Sequence, residues 1–320
     1  MGWFHWQCDD SPWPAQPPVF KAISVGAAGS DETRIHRSAC PNLSGQLEDA
    51  RRKPIDTILC STLDGDPELR LNSAVANQYA TGVAAAVRRL ANENDAKQAW
   101  IVIELDAPES WNRPLLEAAQ QQNLEIVELP NHYPQGDPTL LIYTLLRRRL
   151  KPGHLPTECG VILLDAPAAA AVAGESKGRV PIGLRYVRDC RSAYFDVPAD
   201  MKWREVLAAA GIGTDAVLLR AGDLPRDLAV DPDAPAGAGE LTVHIMPRLM
   251  PMNPESCIRC GWCVQVCPTR AHPAMLLEAA QTGNVHRARR GRLSACIECG
   301  VCDQVCPSHL PLLAAIRKIK

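Results

Sequence analysis

Short apolar runs alternate with amphipathic stretches along the middle of the chain, from about residue 55 to residue 165. The apolar runs are brief and rich in β-branched residues, which favours strands, whereas the stretches between them repeat apolar residues at helical spacing. Strands that alternate with helices form βαβ units, and such units predict a parallel sheet with helices on its faces. The predicted strands are 55–60, 99–105, 124–129 and 160–165.

Three amphipathic stretches among these strands predict helices. The second is opened by Ser110 and has Pro114 in its first turn, and the third is capped by Asp137 and has a proline at its first helical position. The predicted helices cover 72–94, 110–123 and 138–150. Together with the strands they predict one α/β domain over residues 31–175, preceded by an N-terminal arm over residues 1–30.

The pattern changes after residue 175 to shorter runs separated by turn residues. Runs with strand-like composition fall at 180–197, 216–222 and 241–246, and a single helix is predicted within 198–212. Residues 176–250 are therefore expected to form a small β-rich domain with one helix.

The composition is that of an ordinary globular protein, with 46% hydrophobic and 22% charged residues among 320. A net charge of −2 gives no reason to expect nucleic acid as a partner. No apolar run reaches the roughly 18–20 residues that a bilayer-spanning helix needs, and the N-terminus lacks the pattern of a secretory signal. We therefore expect a cytoplasmic protein, either free or peripheral on the cytoplasmic face of the inner membrane.

Eight of the 13 cysteines fall in two short runs, "CIRCGWCVQVCP" at 257–268 and "CIECGVCDQVCP" at 296–307. Both runs have the spacing C-x2-C-x2-C-x3-C-P. In an intracellular chain such regular spacing favours metal ligation over disulfides. The other five cysteines share no ligand spacing and are predicted to be small buried apolar residues: Cys8, Cys40, Cys60, Cys159 and Cys190.

The repeated spacing predicts two cubane [4Fe–4S] clusters in residues 251–320. A tight loop can supply three thiolates to one cube, but the chain then enters a helix that points away. The fourth cysteine of each run is therefore expected to bind the other cluster, as in two-cluster ferredoxins. A zinc site is the alternative, although zinc usually takes two C-x2-C pairs or Cys/His mixtures. The predicted ligands are Cys257, Cys260, Cys263 and Cys306 for the first cluster and Cys296, Cys299, Cys302 and Cys267 for the second.

Two further features accompany the cysteine runs. Gly261 and Gly300 follow the second cysteine of each run, where the backbone is expected to approach the cube closely. Four arginines crowd just before the second run. They either balance the negative charge of the clusters or dock an acidic electron carrier, or they form a solvated face: Arg287, Arg289, Arg290 and Arg292.

The chain resembles the C-type member of the Rnf (Rsx) electron-transport complex, RnfC, over roughly residues 50 to 320. Residues 132–172, which begin "HYPQGDPTLL", look like the YPxG(D/E)-to-GxLPxxxGV stretch of that family. Residues 176–246 look like its SLBB segment, and the two cysteine runs look like its C-terminal dicluster module. The resemblance implies an α/β domain related to the flavin- and NADH-binding domain of the complex I flavoprotein subunit, followed by a small β-grasp domain.

The chain departs from this family near its N-terminus. Only about thirty residues precede the α/β region, where the family usually begins with an extra β-rich domain. The family's GxGGAxFP-like loop, whose amides hold flavin and nucleotide phosphates, corresponds to 24–41, which keeps only Gly26 and Gly29. The family's acidic ECEP-like motif is also changed in spacing or identity, at Asp64, Asp66 and Glu68. These changes disfavour FMN and NADH but leave FMN binding open.

These features predict an α/β plus α+β protein. It would comprise a Rossmann-like parallel-sheet domain, a small SLBB-like β-grasp domain and a C-terminal two-cluster ferredoxin-type helical domain. We expect an electron-transfer subunit that relays electrons through two [4Fe–4S] clusters to other subunits of a redox complex or to a soluble electron carrier. No residue is predicted to be catalytic. The alternative is an NAD(P)H-dependent flavoprotein that reduces a ferredoxin, a quinone or a corrinoid acceptor.

Overall fold

The computed structural model describes residues 16–23, 40–213, 217–247 and 253–320. Within these residues no helix combines the length and the apolar character that crossing a membrane requires. The first described element is a two-residue strand, β1 (Lys21–Ala22).

The α/β domain follows the predicted alternation of strands and helices. All four predicted strands are confirmed, and the helices between them are amphipathic. In chain order the elements are α1 (Leu43–Ala50), β2 (Thr57–Ser61), α2 (Leu71–Gln78), α3 (Ala80–Glu93), β3 (Gln98–Glu104), α4 (Glu109–Gln121), β4 (Glu125–Leu129), α5 (Pro138–Leu146), β5 (Val161–Asp165) and α6 (Ala166–Val172).

The four strands β2 to β5 form a parallel sheet in the order β4-β3-β2-β5. Every residue of β2 and β5 is buried, because helices cover both faces of the sheet. Successive residues alternate between two apolar cores, so that Ile58 faces one core and Leu59 the other. The chain order reverses direction between β2 and β5, and the carboxyl ends of these two strands form the crevice where such sheets bind ligands.

The prediction of a single helix over 72–94 is wrong. The helix is interrupted at Tyr79 (φ −112°, ψ 32°), which separates α2 from α3. Both helices pack on α4 and α6. Helix α3 also lies across β2 and β3, whereas α2 also contacts residues 179–186. A one-residue break of this kind hardly disturbs apolar periodicity, so the sequence pattern could not locate it.

The predicted start of α4 is also wrong. The helix begins at Glu109 after Pro108, so Ser110 is not its cap and Pro114 lies in the second turn. Proline has no N–H to donate to the carbonyl group of Ser110 one turn earlier. The side-chain amide of Asn77 instead donates to the carbonyl oxygens of Ser110 (3.4 Å) and Trp111 (2.9 Å). The tertiary structure therefore supplies a hydrogen bond that the helix itself lacks. The cap at Asp137 is confirmed, since its carboxylate accepts from Thr139 N–H.

The described residues between 176 and 247 contribute five strands to a six-stranded mixed sheet, together with one α-helix. The new elements are β6 (Arg179–Tyr186), β7 (Arg191–Pro198), α7 (Trp203–Ala209), β8 (Val217–Ala221), β9 (Leu228–Ala229) and β10 (Thr242–Pro247). The strand order is β1-β7-β6-β10-β8-β9, with β10 parallel to β6 and antiparallel to β8. Strand β1, which the sequence pattern did not predict, pairs in parallel with β7. One apolar core runs from the parallel sheet into this sheet.

Residues 253–320 contain five short helices and no strand among the described residues. These helices are α8 (Trp262–Gln265), α9 (Pro273–Thr282), α10 (Val285–Arg290), α11 (Val301–Gln304) and α12 (Leu312–Arg317). Each cysteine run contains a four-residue helix that begins after a glycine with positive φ. Helix α8 follows Gly261 (φ 83°), and α11 follows Gly300 (φ 77°). The repeated sequence therefore folds into a repeated structure.

Candidate metal centre and the adjoining cavity

The first cysteine run lies against the end of the second run. Cys257, Cys260, Cys263 and Cys306 line one cavity of about 360 Å³. Burial raises the pKa of the Cys263 thiol, and the nearby sulfurs of the other three contribute to the rise. The structure therefore brings together the four cysteines predicted for the first cluster.

The second group contains the last cysteine of the first run. Burial, together with the neighbouring thiols of Cys296 and Cys267, raises the pKa of Cys299 to about 11. Burial also raises the pKa of Cys302, which lies near Cys299 and Cys296 and is itself buried. Cys267 of the first run thus lies near Cys296 and Cys299 of the second run, as the prediction for the second cluster requires.

Backbone N–H groups point at several of these sulfurs. Ala271 N–H donates to the Sγ of Cys267 at a distance of 3.2 Å. Such bonds stabilise negative charge on a thiolate and are one of the means by which a protein sets a cluster's reduction potential. Three more cysteines accept from the backbone in the same way: Cys263 from Ala274, Cys296 from Glu298 and Cys299 from Val301.

These groups fit the donor set of an iron–sulfur cluster. Each offers four sulfur donors, and soft thiolate ligands suit clusters of this kind. Burial raises the pKa values of the Cys263, Cys296, Cys299 and Cys302 thiols. Because the thiolate is the form that binds metal, cluster binding would release the thiol protons.

The second cysteine run is packed against the two other domains. The hydroxyl of Tyr133 donates to the carbonyl oxygen of Cys299 at 2.7 Å. Gly300 lies so close to the carbonyl oxygen of Pro225 that a Cβ at this position would overlap it. Glycine at this position therefore allows the left-handed φ and also the contact with the mixed-sheet domain.

A cavity lies where all three parts of the chain meet. It opens at the carboxyl ends of β2 and β5, the position expected for a ligand site in a parallel sheet. Cys299 belongs to its lining, together with Arg226 and His244. Six carboxylates also line it: Asp64, Asp66, Asp137, Asp165, Asp223 and Glu240.

The helices that begin at this edge of the sheet are already capped by the chain itself. Free N–H groups at a helix N-terminus are a common binding site for phosphate. Here aspartates take up such groups in α2, α5 and α6: Asp64 accepts from Asn72 N (2.7 Å) and Ser73 N (3.1 Å), Asp137 from Thr139 N (2.9 Å) and Asp165 from Ala168 N (2.8 Å).

The described residues of this cavity therefore do not fit the phosphate of FMN. The carboxylates would repel a phosphate group, and Arg226 is the one arginine or lysine among the described lining residues. Gly26 and Gly29, which remain from the family's phosphate-binding loop, lie outside the described residues. Of the changed acidic motif, Asp64 and Asp66 line the cavity, whereas Glu68 forms an ion pair with Arg185.

The cavity gives a pH-dependent prediction for Asp223→Asn. Burial, with the charge of Glu240 nearby, raises the pKa of Asp223 to about 7. As the pH rises from about 4 to about 7, the unfolded chain loses this proton before the folded protein does, so stability falls. We expect Asp223→Asn to raise the melting temperature at pH 8, by an amount equivalent to about 1 kcal/mol or more.

The gain from Asp223→Asn should shrink as the pH falls below about 7 and vanish below about pH 3, where the wild-type carboxyl is protonated in both states. Thermal melts of the anaerobic cluster-loaded protein at pH 5 and pH 8 would measure it. Asp233→Asn is a control, since its side chain is 58% exposed. A gain that does not depend on pH would contradict the prediction.

Two domain families match the chain. Residues 43–174 match the Nuo51 FMN-binding domain, and residues 249–308 match the 4Fe-4S dicluster domain. Relatives named as the C component of ion-translocating oxidoreductase complexes recur among its matches. The chain is an RnfC-like protein. The dicluster match, which covers both cysteine runs, indicates iron–sulfur clusters of the [4Fe–4S] type in this part of the chain.

Individual relatives are distant and longer. The C component of the Na⁺-translocating ferredoxin:NAD⁺ oxidoreductase complex of Acetobacterium woodii is 22% identical, over 72% of this chain and 54% of its own length. Cobalamin reductase PduS of Salmonella typhimurium is 24% identical, over 67% and 51%. The C component of the ion-translocating oxidoreductase complex of Rhodobacter capsulatus is 27% identical, over 83% and 53%. The chain thus spans about half the length of these relatives.

Among solved structures, an NAD⁺-reducing [NiFe]-hydrogenase in the H₂-reduced state aligns with a TM-score of 0.49 and 15% identity, over 79% of this chain and 49% of that one.

The sequence predicted the cluster cysteines but gave no indication of most residues that line the cavity. Tyr133 lies in the quoted "HYPQGDP" stretch, so a signal for it was present. Asp223 and His244 come from the mixed-sheet domain and carry no motif. Of the five other cysteines, Cys40 and Cys60 are buried as predicted, whereas Cys8 lies outside the described residues.

The prediction was wrong for the remaining two cysteines. Cys159 is half-buried at the end of a short 3₁₀-helix, and Cys190 is exposed at the turn between β6 and β7. The sequence around a turn has no apolar periodicity, so the burial of a cysteine there could not be inferred from it.

Proposed function

We propose that the chain is an electron-transfer subunit that relays electrons through two [4Fe–4S] clusters within a redox complex. One observation carries this proposal: two groups of four cysteines lie in one small domain, and the second group is packed against the rest of the protein. Clusters held close together in this way form a path along which single electrons pass.

The clusters would be bound in the crossed arrangement. The first would take Cys306 from the second run, and the second would take Cys267 from the first run. The shared cavity of Cys306 with Cys257 and Cys260, and the nearness of Cys267 to Cys299, support this assignment. Crossed ligation would also lock the two runs together.

The proposed domain boundaries are those expected from the sequence: an arm over 1–30 and domains over 31–175, 176–250 and 251–320. The middle domain would be an SLBB-like β-grasp unit. Its support is the mixed sheet, in which the hairpin β6–β7 is followed by α7 and β10 returns parallel to β6. In the proposed complex, the first two domains act as scaffold and docking surface.

The partners would be other subunits of the complex or a soluble electron carrier, and the complex would lie at the cytoplasmic face of a membrane. The names of the relatives, which are subunits of ion-translocating oxidoreductases, support this placement. The relatives' own substrates are not assigned to this chain.

A second candidate is an NAD(P)H-dependent flavoprotein that reduces a ferredoxin, a quinone or a corrinoid. The match to the Nuo51 FMN-binding domain and the relatives named cobalamin reductase favour it. The carboxylates of the cavity count against it, because they oppose the binding of a nucleotide phosphate.

Spectroscopy of the anaerobically reconstituted protein separates the two candidates. We expect dithionite or reduced methyl viologen to bleach the visible absorption of both clusters and to produce EPR signals of reduced [4Fe–4S] centres. We expect NADH to leave the spectrum unchanged and denaturation to release no flavin. Bleaching by NADH with stoichiometric flavin would establish the flavoprotein instead. Clusters that resist reduction altogether would rule out electron transfer and leave a structural role.

A further inference from the structure

The two cysteine runs have nearly the same sequence but opposite environments. Ile258, between the first two cysteines of the first run, is 66% exposed, whereas Ile297 at the matching position of the second run is 7% exposed. Cys257 and Cys260 are exposed as well. The first run therefore forms an open end of the dicluster domain, while the second run faces the protein.

The exposed end has an apolar centre. Trp262, four residues after Ile258, is 52% exposed in a protein with few aromatic residues. Around Gly261 nothing lies within 4 Å of a Cβ position, in contrast to the packed position of Gly300. Exposed tryptophan and isoleucine next to metal ligands are typical of the core of a protein–protein contact rather than of a solvated face.

The charge at this end is also reversed relative to the packed run. Arg259 occupies the position that Glu298 occupies in the second run, and both have a left-handed φ. Glu298 forms ion pairs with Arg317 (3.1 Å) and Lys320 (2.7 Å). Arg259 is exposed, and within the described part of the chain it forms no ion pair with a carboxylate. Its cationic group thus remains available beside the exposed cysteines.

The dicluster domain as a whole is basic. Residues 253–320 contain nine lysines and arginines and four acidic residues, although the whole chain has 34 against 36. Part of this excess balances the anionic clusters. Of the four arginines just before the second run, Arg287 forms an ion pair with Glu278 at 3.0 Å. Arg289, Arg290 and Arg292 are exposed.

We propose that the surface formed by Ile258, Arg259 and Trp262 is the docking site for an acidic electron-carrier protein, which exchanges electrons with the first cluster. The apolar pair would form the contact and Arg259 would attract and orient the carrier. This proposal rests on the proposed electron-transfer function and adds the point of electron exchange with the outside. Charged residues at such contacts act mainly on the rate of association.

An acidic protein fits this surface better than the other possible occupants. A second copy of this chain would bring the same arginine against itself. A bilayer surface would engage several basic residues together, whereas Arg259 is the one basic residue of the first cysteine run. A small apolar centre with one cation suits a weak, transient contact of the kind that electron carriers form.

The test measures electron transfer from a reduced acidic [2Fe–2S] ferredoxin to the anaerobic cluster-loaded protein by stopped flow. At low salt we expect Arg259→Glu to lower the second-order rate constant about tenfold. The difference should largely vanish at about 0.5 M salt, where charges are screened beyond a few ångströms. We expect Ile258→Ser and Trp262→Ser to lower the rate by a similar factor at both salt concentrations.

Matched controls separate local from general effects. Val285→Ser changes an apolar residue of the same 66% exposure on α10, and Arg52→Glu makes the same charge change on the α/β domain. Both should leave the ferredoxin rate within about twofold of wild type. If either control variant slows the reaction as much as its counterpart, or if the three surface variants react at the wild-type rate, the docking proposal is wrong.

Small-molecule reduction separates failure of the docking site from failure of the proposed function. Reduced methyl viologen needs no docking surface, so it should reduce every variant at least as fast as the wild type, with unchanged iron content. If the surface variants react with both reduced ferredoxin and reduced methyl viologen at the wild-type rate, the docking proposal is wrong but the electron-transfer function stands. A wild-type protein that neither reagent reduces overturns the electron-transfer function itself.

Discussion

Combining Cys257→Ala with Cys306→Ala should remove one cluster and leave about four iron atoms per chain, whereas combining Cys257→Ala with Cys267→Ala should remove both. In the crossed arrangement, Cys257 and Cys306 bind the same cube, while Cys267 binds the other. The two double variants remove the same number of thiolates from the same domain. Their iron contents therefore report only how the ligands are shared.

Iron and acid-labile sulfide assays on anaerobically prepared protein would measure the difference, with EPR of the reduced samples to count the remaining centres. The wild type should carry about eight irons. Cys159→Ala, a cysteine outside the runs, should retain the wild-type value. The reverse result, with about four irons left only when Cys257 and Cys267 are changed together, would show that each run binds its own cluster.

Removal of the iron should unfold most of residues 253–320 while the parallel sheet stays folded. Helices α8 and α11 have four residues each, which is far too short for stability without outside support. The buried apolar residues of this domain form two small cores, and cysteine sulfurs belong to both. A domain of this size usually depends on its metal for folding, since cluster binding supplies the missing stability.

Hydrogen exchange of the cluster-loaded and chelated protein would test this expectation. Amides of 262–267 and 301–306 should exchange about a hundredfold faster or more after iron removal. Amides of β2 and β5 should keep their protection, because their core does not include the clusters, and they serve as the internal control. Equal protection of 262–267 and 301–306 in both forms would mean that the dicluster domain folds without iron.

Much of the α/β domain follows from local pattern. Strands β2 to β5 are short runs rich in apolar residues, and β2 and β5 are buried on both faces. Such runs stand out in a sequence that also contains amphipathic helices. The pattern failed where tertiary contacts replace local ones. The break at Tyr79 and the late proline in α4 both depend on neighbours distant in sequence, such as Asn77 for the carbonyl groups of α4.

The sequence alone predicted the cluster ligands, because the spacing C-x2-C-x2-C-x3-C-P of both runs is typical of two-cluster ferredoxins. Only the tertiary structure decided which cysteine run packs against the other domains and which faces solvent, since the two runs are nearly identical in amino-acid sequence. The difference arises from groups elsewhere in the chain, Tyr133 and Pro225, which contact the second run and leave Ile258 and Trp262 of the first exposed. Contacts between distant segments leave no periodic trace in a single sequence.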